Sequence, residues 1–235
     1  MLEARRTPEG RDFYAIAHRA GNNFHALEQA LLTTADAIEC DFWHAGGRLA
    51  LRHERRLGPI PLLVDKWFIR FQVGELSLRT MLDQIAGRTD LFIDIKSKTP
   101  RAADALLALH RDHADLLPPV RICSPQWRVL DRIAEAHTDL PLYYSIGHEP
   151  RVEALLRRVG EGHPATGTSI RHTLLTRERA DAFHAAGLEI FAWTVNNADR
   201  ARELLDWGVE GIISDDFAMF DALGNLPPER TAAAP

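Results

Sequence analysis

Along the chain, short apolar runs bounded by polar residues alternate with longer stretches of helical period. The runs at 13–17, 37–43, 91–97, 120–123, 140–146, 166–170, 189–195 and 211–214 have the length and flanks of buried strands. Between them, residues 24–33, 78–86, 100–113, 125–136, 151–159, 177–186 and 198–207 read as helices. Leu27, Ala30 and Leu31 recur at the i, i+3, i+4 spacing of one buried stripe, Ser77 suits an N-cap, and Pro100 suits a first helical turn. Eight strands, each followed by a helix across short loops, predict an α/β fold of one domain, a (β/α)8 TIM barrel with its core over about 13–222. Residues 1–12 read as a loose polar lead-in, and the Pro- and Ala-rich stretch 224–235 as a flexible tail.

One segment breaks the rhythm. Over 55–75, Gly58, Pro59 and Pro61 interrupt any period, while Trp67, Phe68, Ile69 and Phe71 crowd together. Two readings compete: a variable cover over the mouth of the barrel, or a strand-like crossover packed against it.

Two of the strands carry charge that a buried strand does not ordinarily tolerate. In Ala37–Trp43, Glu39 and Asp41 stand at i and i+2 and share a face, with Ile38, Cys40 and Phe42 on the other. Carboxylates paired in this way repel each other and are costly to desolvate unless a cation or a proton lies between them. A solvated pair at a strand end, matched by Arg or Lys, is the plainer reading. The second strand argues against it, because Asp94 and Lys96 repeat the pattern opposite Ile93 and Ile95. Three acids and a lysine converging on one cavity suit a hard divalent cation, Mg2+ or Ca2+, better than zinc. His18-Arg19 follows the first strand, and His53-Glu54 follows Arg48–Leu51, where a Gly46-Gly47 turn folds the chain back towards the carboxylates. Every one of these groups lies on or just after a strand, at the barrel face where active sites are built, and together they suit phosphoryl transfer.

His18-Arg19, Ile38-Glu39-Cys40-Asp41, His53-Glu54, Ile93-Asp94-Ile95-Lys96, Ala192-Trp193-Thr194-Val195-Asn196 and Gly208 to Asp215 stand in the order of the signatures of the glycerophosphodiester phosphodiesterases, which the sequence resembles over roughly 13–222. The resemblance implies hydrolysis of a glycerophosphodiester to glycerol 3-phosphate and an alcohol. Carried over residue by residue, it implies Glu39, Asp41 and Asp94 as metal ligands and His18 and His53 as general acid and base. Arg19 and Lys96 would bind the substrate phosphate, and Trp193 would line the pocket, with Asn196 a further pocket candidate. In relatives the first nucleophile is thought to be the substrate's own 2-hydroxyl, giving a cyclic phosphate. Two departures stand out. The loop after His18-Arg19 is short and lacks the glutamate of the family's Pro-Glu-Asn-Thr motif, with Asn22 the match to its asparagine, and Asp94 replaces the usual glutamate. A lysophospholipase D acting on lysophospholipids, supported by the apolar 62–71 stretch, and a barrel that binds a phosphorylated ligand without turnover are the alternatives.

Composition narrows the setting. Hydrophobic residues at 46% and charged residues at 26% are ordinary for a soluble globular protein, and no run approaches a bilayer span. The net charge of -5 weighs against nucleic acid as a partner. Cys40 and Cys123, each inside an apolar run, are expected as buried free thiols, and a charged N-terminus without an apolar core suggests a cytoplasmic protein.

Overall fold

In a closed barrel, alternate residues of each strand go to different places: one set under the surrounding helices, the other into the lumen. The structure, a computed structural model, describes residues 5–6, 12–45, 48–57, 62–64, 69–71, 76–112, 114, 117–136 and 139–223. Eight of its strands are β1 (Asp12–Ala17), β2 (Ala37–Ala45), β3 (Asp90–Ile95), β4 (Val120–Ser124), β5 (Leu142–Ile146), β6 (Gly167–Arg171), β7 (Glu189–Trp193) and β8 (Gly211–Ser214). They pair in parallel in chain order, and β8 returns to β1 with Gly211 opposite Tyr14 and Ser214 opposite Ala17. The result is the predicted (β/α)8 barrel.

The helices are α1 (Phe24–Ala30), α2 (Leu78–Ile85), α3 (Arg101–Asp112), α4 (Trp127–Ala134), α5 (Pro150–Gly160), α6 (Arg177–Ala185), α7 (Ala198–Asp206) and α8 (Ala218–Ala222). Asn23, Ser77, Thr176 and Asn197 cap α1, α2, α6 and α7 by accepting a backbone N–H three residues on. Leu27 and Ala30 bury the stripe expected of α1, and Leu31 is half-buried beyond its end. Among the described residues no helix is long and apolar enough to cross a membrane.

Alternation sorts the core into two compartments. Ile38, Cys40 and Phe42 of β2 and Leu91, Ile93 and Ile95 of β3 pack outward in the layer shared with the helices. Tyr14, Ile16, Phe92, Cys123, Tyr143, Phe191 and Ile213 fill the lumen instead. There the Phe191 ring lies 4.5 Å from Tyr143, 5.5 Å from Phe92 and 5.8 Å from Tyr14. Below this aromatic layer, Tyr14 donates to Asp90 at 2.6 Å and Arg121 lies 4.4 Å over the Tyr14 ring. Among the described residues the lumen is thus filled by rings towards its N-terminal end, and a cavity opens above them.

Two strand glycines make room for the plug. A Cβ at Gly167 would stand 2.4 Å from the Glu189 carbonyl oxygen and 2.8 Å from the Tyr143 ring, and one at Gly211 would stand 2.6 Å from Phe191. Both cysteines are buried free thiols, as expected.

The structure departs from the sequence reading in three places. Arg5–Arg6 is not a loose lead-in but pairs antiparallel with Asp12 and Phe13. Within 55–75, Arg55–Arg56, Leu62–Val64 and Ile69–Phe71 form a separate three-stranded antiparallel sheet, with Leu63 buried and Ile69 64% exposed. β3 stops at Ile95 rather than 97, although the Lys96 N–H still donates to Phe42 O at 2.9 Å. Trp67, Phe68, the Gly46-Gly47 turn and the tail 224–235 lie outside the described residues.

Gly167→Ala is expected to cost about 2 kcal/mol or more, because a backbone carbonyl and a packed ring cannot both yield. Gly160→Ala, whose Cβ would meet nothing within 4 Å in a helix, is the control, expected to keep the urea midpoint or raise it slightly.

Candidate active site

The open end of the barrel is a cavity of about 420 Å³. His18, Arg19, Glu39, His53, Asp94, Lys96 and Trp193 all line it. Asp41, fully buried, adjoins it through its contact with Lys96 at 2.8 Å. Each arrives by a short local device.

His18 continues from β1, its N–H bonded to the Ser214 carbonyl at 2.9 Å. Its Nδ1 lies 2.6 Å from Oδ1 of Asp215, the residue that follows β8. Asp215 is in turn held by Asn196, whose Oδ1 accepts from the Asp215 N–H at 2.9 Å and from Ser214 Oγ at 3.0 Å. The His18 contact and the amide of Asn196 outweigh partial burial and hold the Asp215 carboxyl below its usual range. Asn196, expected as a pocket residue, is therefore a support behind Asp215.

Arg19 adopts the left-handed region at φ 55°, uncommon for a residue with a side chain. That conformation aims its N–H at Glu39 Oε2, at 2.5 Å, and starts a 3-10 turn, Ala20–Asn22. At the end of the turn Asn22 grips Asp41 twice: its Nδ2 donates to Asp41 Oδ2 at 2.5 Å, and its Oδ1 accepts the Asp41 N–H at 2.8 Å. The short loop thus supports two of the three carboxylates directly, without the glutamate it lacks.

His53 is delivered by the hairpin that follows β2. The strand Arg48–Leu51 pairs antiparallel with β2, Leu51 opposite Phe42, and the Arg52 N–H donates to Asp41 O at 3.0 Å. This register returns the chain beside the acids, as the sequence suggested. Nη2 of Arg19 lies 2.7 Å from His53 Nε2. Because a guanidinium only donates, that nitrogen accepts and the ring proton resides on Nδ1.

Glu39, Asp41 and Asp94 each offer an oxygen, all within 4.8 Å of one another. Two ligands of a single Ca2+ or Mg2+, at about 2.0–2.6 Å from the ion, fall within the same span. Lys96 Nζ sits among them, ion-paired with Asp94 and 2.8 Å from Asp41 Oδ1. The latter is an ion contact without hydrogen-bond alignment. Three carboxylates against one ammonium leave a negative surplus in a buried place. Burial and the neighbouring Asp41 push the Glu39 carboxyl well up, and burial, with Asp41 adding to it, also raises Asp94. Asp41 moves the other way, its burial outweighed by Lys96, His53 and Asn22. Burial works against the Lys96 charge, but the three acids overcome it and hold the ammonium charged. Asp94 Oδ1, buried and without a hydrogen-bond partner, is an acceptor that a cation would satisfy.

Residues 87–219, more than half of the chain, match the model of the glycerophosphoryl diester phosphodiesterase family. YhdW of Bacillus subtilis, which bears the name of a glycerophosphodiester phosphodiesterase, is 34% identical over 88% of this chain and 97% of its own. The chain belongs to that family.

Solved structures agree on the fold of these phosphodiesterases. The chain superposes on an Oleispira antarctica phosphodiesterase with a TM-score of 0.71 at 17% identity, covering 89% of this chain and 96% of that one. A Thermotoga maritima glycerophosphodiester phosphodiesterase gives 0.68 at 19% identity, covering 90% and 98%. The stretch matched by the family model starts after His18, Glu39, Asp41 and His53, whereas the likeness to YhdW spans most of the chain.

Sequence reasoning did not single out Gln126, His148, Arg151 and Arg171, which line the far side of the same cavity. The one local signal was their place, since Gln126, His148 and Arg171 each stand at or just past a strand end.

In metal-stripped protein Glu39→Gln is expected to raise stability at pH 8 by about 1 kcal/mol or more, since it removes a charge that folding buries at a cost. The sign follows from a raised carboxyl: the folded state binds the proton more tightly than the unfolded chain, so the penalty grows as pH rises above the ordinary carboxylate range. Urea midpoints in EDTA check this, and the gain of the variant should fade as the pH falls into that range.

Proposed function

We propose that this protein hydrolyses glycerophosphodiesters to glycerol 3-phosphate and an alcohol, with a divalent cation held by Glu39, Asp41 and Asp94. One observation carries the reading: the cavity has two complementary deficits side by side. Asp94 Oδ1 is a buried acceptor without a donor, and Arg19 Nε is a buried donor without an acceptor. A cation satisfies the first and a phosphate oxygen the second. That the Oleispira antarctica phosphodiesterase was solved with sn-glycerol 3-phosphate supports the same substrate class.

A bound Mg2+ or Ca2+ would supply positive charge facing the nonbridging oxygens as negative charge builds there. Arg19 and Lys96 add to that field from the protein's own side and orient the diester. The histidines then divide the proton work. His18, with the ionised Asp215 on Nδ1, is suited to carry a proton and deliver it to the leaving oxygen. His53 is suited to act as the base: its Nε2 lone pair accepts from Arg19 in this structure and becomes free to take the proton of the attacking hydroxyl once the Arg19 guanidinium turns to the phosphate. Trp193 forms part of the wall against which the organic part of the substrate packs.

A second reading, lysophospholipid cleavage, draws on the small sheet that begins two residues after His53, where Leu57 and Ile69 expose apolar side chains. Side-by-side assays with glycerophosphocholine and lysophosphatidylcholine separate the two, since preference for the second would favour the lipid substrate.

His18→Ala and His53→Ala are each expected to lower kcat by about 10²- to 10⁴-fold. EDTA should abolish glycerol 3-phosphate release and Mg2+ or Ca2+ restore it; full turnover in EDTA would refute the metal. Asp215→Asn should lower kcat by roughly tenfold or more and move its pH profile while leaving KM near wild type, because it alters only the orientation and charge of His18.

A further inference from the structure

The cavity is electrically lopsided. Its acidic lining residues, Glu39 and Asp94, stand on β2 and β3. Arg151 and Arg171 line the wall supplied by β5 to β7, and no carboxylate accompanies them there. In a ring of eight strands in chain order, β6 is diametrically opposite β2, so Arg171, the last residue of β6, faces the catalytic wall across the lumen.

Neither guanidinium is neutralised. Arg151 donates to the carbonyl oxygens of Pro125 at 2.7 Å and Ser145 at 3.3 Å and lies 4.9 Å over Trp127, which fixes it without cancelling its charge. Arg171 has no hydrogen bond or ion pair with the described residues. It lies over the Trp193 ring at 5.5 Å, and a Cβ at position 147 would stand 3.6 Å from that ring, so Gly147 leaves the indole room. The stack fixes the guanidinium at the rim of the cavity, where Arg171 and Trp193 both line it. Stacking leaves the guanidinium edge, with its fork of N–H donors, free for an anion.

We propose that Arg171, stacked on Trp193, recognises a negatively charged leaving group, so that the preferred substrates are glycerophosphodiesters whose alcohol bears a carboxylate or a phosphate monoester. The proposal rests on the phosphodiesterase reading and names its substrate class. The reacting phosphate engages Arg19 and Lys96 on one wall, and the second anion engages Arg171 on the other, with Arg151 contributing field.

The test uses the full chain with Mg2+ and three diesters of similar size: glycerophospho-3-hydroxypropionate, glycerophosphopropanol and glycerophosphocholine. The wild type is expected to favour the carboxylate over choline by about tenfold in kcat/KM, chiefly through KM, the effect of one charge-assisted contact. Arg171→Glu should invert that order while leaving the propanol ester within about twofold, and Arg171→Lys should keep part of the preference. Equal cleavage of all three by wild type, or an Arg171→Glu loss shared equally by all three, overturns the proposal. Circular dichroism confirms that the exposed substitution leaves the fold intact. If none of the diesters is cleaved, the phosphodiesterase reading fails on its own, and calorimetric binding still decides the subsite. Tighter binding of the carboxylate diester than the choline diester, lost in Arg171→Glu, upholds it, and equal affinities overturn it.

Discussion

Lys96 is one ammonium set against three buried carboxylates, and much of the upper half of the barrel depends on that imbalance. An ion pair taken out of water is weakly stabilising at best, and a surplus acid beside it is a cost. The chain meets the cost with fixed dipoles: the Arg19 N–H on Glu39 and the Asn22 amide on Asp41. What these do not neutralise remains as attraction for a cation. The same imbalance separates the acids by character, with Asp41 kept ionised and Glu39 and Asp94 pushed towards protonation.

Such a site needs a rigid base, which the lower half supplies from unrelated chemistry. The rings of Tyr14, Phe92, Tyr143 and Phe191 close the lumen, and the Asp90, Arg121 and Tyr14 contacts seal the polar end beneath them. Because β2 and β3 place Phe92 one step below Asp94 on the same face, the plug and the site are built by the same strands. Loss of packing below would therefore tilt the acids above.

How far the sequence could be read follows the distance over which each feature is set. Glu39 with Asp41, and Asp94 with Lys96, were legible because strand alternation is a two-residue rule. The barrel was legible because eight apolar runs and the helical stripes between them repeat with a regular spacing. The partnership of His18 with Asp215 spans 197 residues and exists only once β8 closes on β1. Arg171 had no sequence neighbour to mark it, since its meaning comes from facing β2 across the lumen. Asn196 was a pocket candidate only as the end of the family-like stretch that holds Trp193, whereas its side chain turns back to Ser214 and Asp215. Among the described residues the three short strands between 55 and 71 pair with one another alone, and runs of two or three residues carry no readable period.

The shortened loop after His18 shows how one economy in sequence leads to another in structure. With only Ala20 and Gly21 between Arg19 and Asn22, the chain cannot swing out over the mouth. It turns at once through the left-handed Arg19 and lies along β2, so that backbone and amide groups reach the acids directly. The turn itself therefore adds no cover above β1 and β2. Enclosure of a substrate must come from elsewhere around the rim, and the described residues offer it on the opposite wall, where Trp193 and the arginine stacked on it stand. Support for the acids is thus what the short turn supplies, and the wall with Trp193 and Arg171 is what stands opposite to meet the rest of a substrate.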